Sequence, residues 1–133
     1  MPDMQTVTIE QLYQAGMMDD WSWVDEHIPK FLTEEGFLLE PDFARVMTEI
    51  GNEDPVMADV AALLLMASHN PLSGEQQGIV TNIMLKTDHE PVWVRLACVL
   101  YDRGVRDVTV QRMLMLGREL LDPQLSAECR QRS

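Results

Sequence analysis

The side chains best suited to chemistry in this chain are three histidines, two cysteines and several adjacent acids. His27, His69 and His89 stand far apart, and no HExxH or HxH spacing joins them into a zinc hydrolase motif. His69 reads as the end of an apolar helix, where the dipole favours a cation. His89 falls in the loop TDHEP, beside Asp88 and Glu90, which hydrogen-bond or are solvated. Cys98 lies within the apolar run LACVL and reads as a buried, inert thiol. A nucleophile would need a base and an electropositive setting, and the neighbouring residues supply neither. Cys129 falls in the tail QLSAECRQRS and reads as exposed. The two form no CxxC pair, so neither a disulfide framework nor a Cys-rich zinc site is expected.

The paired acids are Asp19-Asp20, Asp25-Glu26, Glu34-Glu35 and Glu53-Asp54. A glycosidase needs two carboxylates across a cleft, whereas adjacent acids on one helix usually form a solvated face. Residues 19–26 lack the central Gly and terminal Glu of an EF-hand loop. No GxGxxG and no GxxxxGK[ST] occurs, so nucleotide binding has no support. The expectation is a non-enzymatic protein without cofactor or metal. The alternative is a small enzyme whose site the fold assembles from scattered histidines and carboxylates.

Trp21-Ser22-Trp23 is the sharpest local signal. Helical positions two apart differ by about 200°, so the two indoles point in nearly opposite directions. Trp21 shares a face with Val24 and Ile28 and is expected in the core. Trp23 falls with Asp19, Asp20 and His27. A Trp on an acidic face fits an interface anchor, since Trp is enriched at binding hot spots. The competing reading is a two-sided helix with Trp23 covered by another element. The ten methionines fill core gaps for the most part. Met18 and Met115 are the surface candidates, because Met115 faces away from the stripe of Val110, Met113 and Leu114.

Charge sorts the partner classes. The chain carries a formal net charge of −12. Residues 1–60 hold 14 acids with Lys30 and Arg45 as their only bases, while residues 61–133 hold 8 acids and 8 bases. Nucleic acid is a poor fit, because its binders gain affinity from clustered Lys and Arg. A basic or amphipathic protein fits better, and the competing reading is that the acidic face keeps the protein in solution. Residues 60–67, the longest apolar run, are too few to span a bilayer. The start MPDMQTVTIE has neither the basic nor the apolar region of a secretory signal. A cytoplasmic location, with no membrane contact, is the expectation.

The elements that must position these residues are helical throughout, since no stretch alternates apolar and polar residues as a strand does. Thr8 and Gln11 form a capping box for a first helix that Gly16 is expected to end in the left-handed conformation. Asp19 or Asp20 caps a second helix, interrupted by Pro29, with a short turn through Phe31 and Leu32 that stops at Gly36. Pro41 opens a third helix that Gly51 stops. Asp54 and Pro55 open a fourth that is apolar almost all round and should run through the centre of the fold. Ser73 and Gln76 repeat the capping box, Glu90-Pro91 opens another helix with Gly104 as its stop, and Asp107 caps the last strong one, which Asp122-Pro123 ends. The prediction is an all-α fold of about seven short helices, packed as antiparallel hairpins in one compact domain over residues 1–133, with 1–7 and 124–133 frayed.

The chain also echoes itself. Glu40-Pro41 and Glu90-Pro91 open helices in the same way, and Phe43, Arg45, Val46 and Ile50 align with Trp93, Arg95, Leu96 and Leu100. The segment PVWVRLACVLYDRGVRD loosely resembles a HEAT repeat. That resemblance covers a small part of the chain and implies stacked helical hairpins and a binding role.

The functional expectation is a protein-binding module, such as an adaptor, a secretion-type chaperone or an inhibitor. Its acidic N-terminal surface, Asp19, Asp20, Trp23, Asp25, Glu26, Glu34 and Glu35, would engage a basic or amphipathic protein partner. A homodimer built on an exposed Trp23 or Met115 is the remaining alternative.

Overall fold

Helix signals at the residue level translate directly into helices in the computed structural model, which describes residues 7–132. Among these residues the fold is all-α. Its elements are α1 (Ile9–Met17), α2 (Trp21–His27), a 3-10 turn (Ile28–Phe31), α3 (Glu40–Glu49), α4 (Pro55–Ala67), α5 (Gly74–Lys86), α6 (Glu90–Asp102), α7 (Val108–Arg118) and α8 (Pro123–Arg130). Eight α-helices are present where about seven were expected. No helix of the described residues is long and apolar enough to cross a membrane. The chain falls into two units, Met1–Asn70 and Pro71–Ser133. The excess negative charge belongs to the first of them.

In the first unit, α1 opens with the expected capping box. Thr8 accepts from the Gln11 N–H at 3.2 Å and its own N–H donates to Gln11 Oε1 at 2.9 Å. The helix buries Ile9, Leu12 and Gly16 and packs on α4. Residues 57–65 of α4 are all buried, as an all-round apolar sequence requires. Gly16 is where the sequence reading needs correction. It does not end α1; it lies inside it, buried. A Cβ at this position would stand 2.9 Å from Val56 Cγ1 and 3.1 Å from Trp21 Cη2. Its small size is therefore used for close helix approach, and the left-handed residue is Asp19, at φ 60.

Pro29 falls in the first turn of the 3-10 segment, as its missing N–H allows. The chain then doubles back. Leu32 and Leu38 form an isolated antiparallel bridge, with Gly36 at φ 88 between them. His69 lies beyond the end of α4 rather than at its last turn, because α4 stops at Ala67. Its N–H donates to Gly36 O at 2.8 Å, and the Asn70 side chain holds both the N–H and the carbonyl of Leu38.

In the second unit, α6 packs on α5, α7 and α8, and α7 packs on α8. Ser73 and Gln76 complete the second capping box. Gly104 ends α6 at φ 90. Asp122-Pro123 marks a beginning as well as an end: Asp122 Oδ1 accepts from the N–H groups of Gln124 and Leu125, and Pro123 starts α8.

Residues 123–130 are thus helical where fraying was expected from residue 124. Leu125 and Cys129 supply a buried face. Ser126 Oγ donates to Arg118 O at 2.8 Å, and Arg132 grips Asp102 through two bonds of 2.8 and 2.9 Å. Cys129, expected to be exposed, is fully buried. The fraying expected at residues 1–7 concerns, except for Val7, residues outside those described.

Candidate functional site

The solvent face of α1 is a stripe. Gln11, Gln14, Ala15 and Met18 follow at the three- and four-residue spacing that puts side chains on one side of a helix. The opposite side is occupied by Ile9, Leu12 and Gly16 in the core. The stripe therefore faces outward because the capping box fixes where the helix begins, and the core residues fix its rotation.

The turn after α1 brings this stripe against α2. The Asp20 N–H reaches back to Ala15 O at 2.8 Å and the Asp19 N–H to Gly16 O at 3.0 Å. These two bonds define a Schellman motif, which needs a left-handed residue between helix and exit, usually glycine. Here that residue is Asp19. The short polar side chain of Asp tolerates this region better than most, though not as freely as glycine. Asp20 then caps α2, accepting from the Trp23 N–H at 3.4 Å and from Ser22 Oγ at 3.3 Å.

Together these elements enclose an open groove of about 630 Å³, lined by Gln11, Gln14, Ala15, Met18, Asp19, Asp20 and Trp23. Met18 is 80% exposed. Trp23 is half-buried: its ring stacks on His27 with centroids 3.9 Å apart and planes 22° apart. His27 is fixed in turn by its Nδ1, 2.8 Å from Trp23 O. The indole is therefore a braced wall rather than a loose side chain. Its lining combines apolar surface from Ala15, Met18 and Trp23 with the amides of Gln11 and Gln14 and the carboxylates of Asp19 and Asp20.

No base lines it. Of the two bases in residues 1–60, Arg45 is paired with Glu10 and, at 3.3 Å, with Glu49. The bond from Arg45 holds the Glu10 carboxyl below its ordinary range. Tyr13 Oη donates to the Asp54 carboxylate, which lowers the Asp54 pKa and raises that of Tyr13. Asp54 also caps α4 through the Val56 N–H at 3.0 Å.

Of the seven residues expected to form a binding face, the groove brings together Asp19, Asp20 and Trp23. Asp25 and Glu26 are exposed on α2 and do not line it; Glu34 and Glu35 are exposed in the turn between Thr33 and Gly36. Sequence reasoning missed Gln11, Gln14 and Ala15. Their signal was present in the spacing 11, 14, 15, 18, but polar residues on a helix usually mean only solvent.

A second surface lies in the other unit. Met115, 61% exposed as expected for a residue off the α7 stripe, joins Val108 and Leu116 in a groove of about 560 Å³ that also carries Arg112 and Glu119. Among the described residues no group of three or more His, Cys, Asp or Glu side chains is placed to hold a metal ion. No protein-family model matches the sequence, and neither a curated protein nor a solved structure matches it.

Proposed function

We propose that this protein is a binding module whose α1–α2 groove receives a basic amphipathic helix of another protein. The observation that carries the reading is the composition of the groove: Met18, Ala15 and Trp23 offer apolar surface, and Asp19 and Asp20 join them with no Lys or Arg in the lining. An amphipathic helix laid in such a groove buries its apolar residues on Met18 and Trp23 and places Lys or Arg against the acids. The flexible thioether of Met18 adapts to different apolar side chains, while the braced indole loses little freedom on binding. The wider acidic field of residues 1–60, including Asp25, Glu26, Glu34 and Glu35, speeds the encounter and orients it without direct contact.

The test is a titration of the isotopically labelled protein with a helical peptide of alternating Leu and Lys faces, followed by amide chemical shifts. Shifts concentrated at residues 11–23 and suppressed by salt support the reading. Shifts confined to α7, or a saturating response insensitive to salt, would count against it.

A further inference from the structure

Helix α7 has two apolar sides. Val110, Leu114 and Gly117 are buried, and at about 100° per residue they face nearly opposite to Val108, Met115 and Leu116. These three are each more than half exposed. With Gln111, Arg112 and Glu119 they line the α7 groove, and all six residues fall within an arc of about 140° around the helix. Core packing accounts for the first side alone.

The charges on the second side say what it meets. Arg112 and Glu119 are seven residues apart, about 10.5 Å along the axis, with Met115 and Leu116 midway between them. That distance is too long for an ion pair within one helix. Among the described residues neither side chain makes an ion pair or a hydrogen bond. Glu119 also stands at the C-terminal end of α7, where the helix dipole disfavours an acid, so the helix itself gains nothing from it. A two-fold axis between Met115 and Leu116 resolves both points. It sets two α7 helices antiparallel and brings each Arg112 against the Glu119 of the other copy. The net charge agrees. Residues 71–133, the unit that holds α7, carry 8 acids and 8 bases, so two such units meet without net repulsion. The first unit, which has all the excess acid, would repel its own copy.

We propose that this side of α7 is a homodimer face, on which two chains pair through antiparallel α7 helices. Met115 and Leu116 form its centre, and two Arg112–Glu119 ion pairs flank them. A face made by one helix is small for a specific interface, so the dimer exchanges readily with monomer. None of these residues belongs to the α1–α2 groove, and the two surfaces are tested separately.

Sedimentation equilibrium of the full-length protein at low salt, from about 1 μM to about 1 mM, reads the association. A single monomer–dimer equilibrium is expected, with no larger species, because a two-fold face closes on itself. Arg112→Glu and Glu119→Arg should each weaken the dimer at least about tenfold, since each sets like charges opposite one another. Mixed in equal amounts, the two variants should pair with each other. A chain carrying both changes should dimerise within about threefold of the wild type. Trp23→Ala should dimerise as the wild type does. The α7 substitutions fall on exposed side chains, and unchanged circular dichroism separates a lost dimer from a lost fold. A wild type that stays monomeric throughout would overturn the proposal. So would a dimer that the single variants leave intact, that mixing them fails to restore, or that Trp23→Ala abolishes.

Discussion

Asp19 and Gly104 hold the same position in two copies of one helix-ending motif. Asp19 leaves α1 at φ 60 and Gly104 leaves α6 at φ 90. In each, the next residue reaches back five positions with its N–H: Asp20 to Ala15 O at 2.8 Å and Val105 to Leu100 O at 3.0 Å. The glycine is the residue the motif favours. The aspartate accepts strain at the rim of the groove, which is where strained residues tend to carry function.

That comparison sets an order of stabilities at position 19. Left-handed backbone costs an L side chain about 1–2 kcal/mol, less for Asp, and the greater freedom of unfolded Gly returns about 0.5–1 kcal/mol of any gain. Asp19→Gly should be about 0.5 kcal/mol more stable than wild type, and Asp19→Ala less stable than both. Urea denaturation of the three proteins measures this. Both substitutions should weaken binding of the basic peptide, so stability and affinity part company. An Asp19→Ala protein as stable as Asp19→Gly would remove strain from the account.

Gly36 and His69 offer a test of crowding separated from backbone strain. Gly36 has φ 88 and a Cβ there would meet His69 Cδ2 at 2.4 Å, whereas Gly104 has φ 90 and open space around it. Gly104→Ala should lose only the left-handed penalty, about 1–2 kcal/mol. Gly36→Ala should lose more, by about another 1 kcal/mol for overpacking. In a His69→Ala background the two losses should converge. If they already agree in the wild type, the His69 ring simply moves aside.

The Tyr13–Asp54 bond makes a pH prediction. The bond from Tyr13 lowers the Asp54 pKa in the folded state, so its contribution is complete above the ordinary carboxylate value of about 4 and is lost as pH falls through the lowered value. The Tyr13 pKa is raised by the same bond, so that contribution is present below about pH 10 and is lost as pH rises through the raised value. Tyr13→Phe should move the Asp54 carboxyl back toward ordinary titration, as read from its carbon shift, and weaken the dependence of stability on acid. An unchanged Asp54 titration would mean that the capped N–H of Val56 sets its value instead.

Gly117 should be intolerant of any side chain. Gly117→Ala places a methyl 2.1 Å from Cys129 Sγ, and overpacking costs about 1–3 kcal/mol, which exceeds the roughly 1 kcal/mol that alanine gains in helix propensity. Thermal unfolding should show a net loss that Cys129→Ala largely restores. A stabilised Gly117→Ala protein would show that α7 and α8 separate easily.

Most of the helices were legible because their signals are local. Thr8 with Gln11, Ser73 with Gln76, and Asp54 and Asp107 before their helices each act within a few residues. Gly16 was misread as the left-handed end of α1 because the reason for its small size is tertiary, while the left-handed position falls on Asp19. Val56 lies far along the chain from Gly16, and its approach decides which residue must be small. Cys129 and α8 were misread for a related reason: Asp122-Pro123 looks like a stop when seen from α7, and the burial of Cys129 depends on Gly117 and on α6. For the groove, Trp23 and its acids stood out by residue type. Gln11, Gln14 and Ala15 did not, since only packing tells an outward stripe from one wall of a recess.

The central claim, that the α1–α2 groove binds a basic amphipathic helix, is tested most directly by the dissociation constant of the Leu/Lys peptide. It should be measured for the wild type, for Trp23→Ala, and for Asp19→Asn combined with Asp20→Asn. Asparagine tolerates the left-handed turn and caps α2 as aspartate does, so the double variant removes charge alone. The account predicts a loss of about thirtyfold for Trp23→Ala, as for an interface anchor. For the double variant it predicts about tenfold at low salt, shrinking toward equality as salt rises to about 1 M. Affinities unchanged in both variants would contradict it.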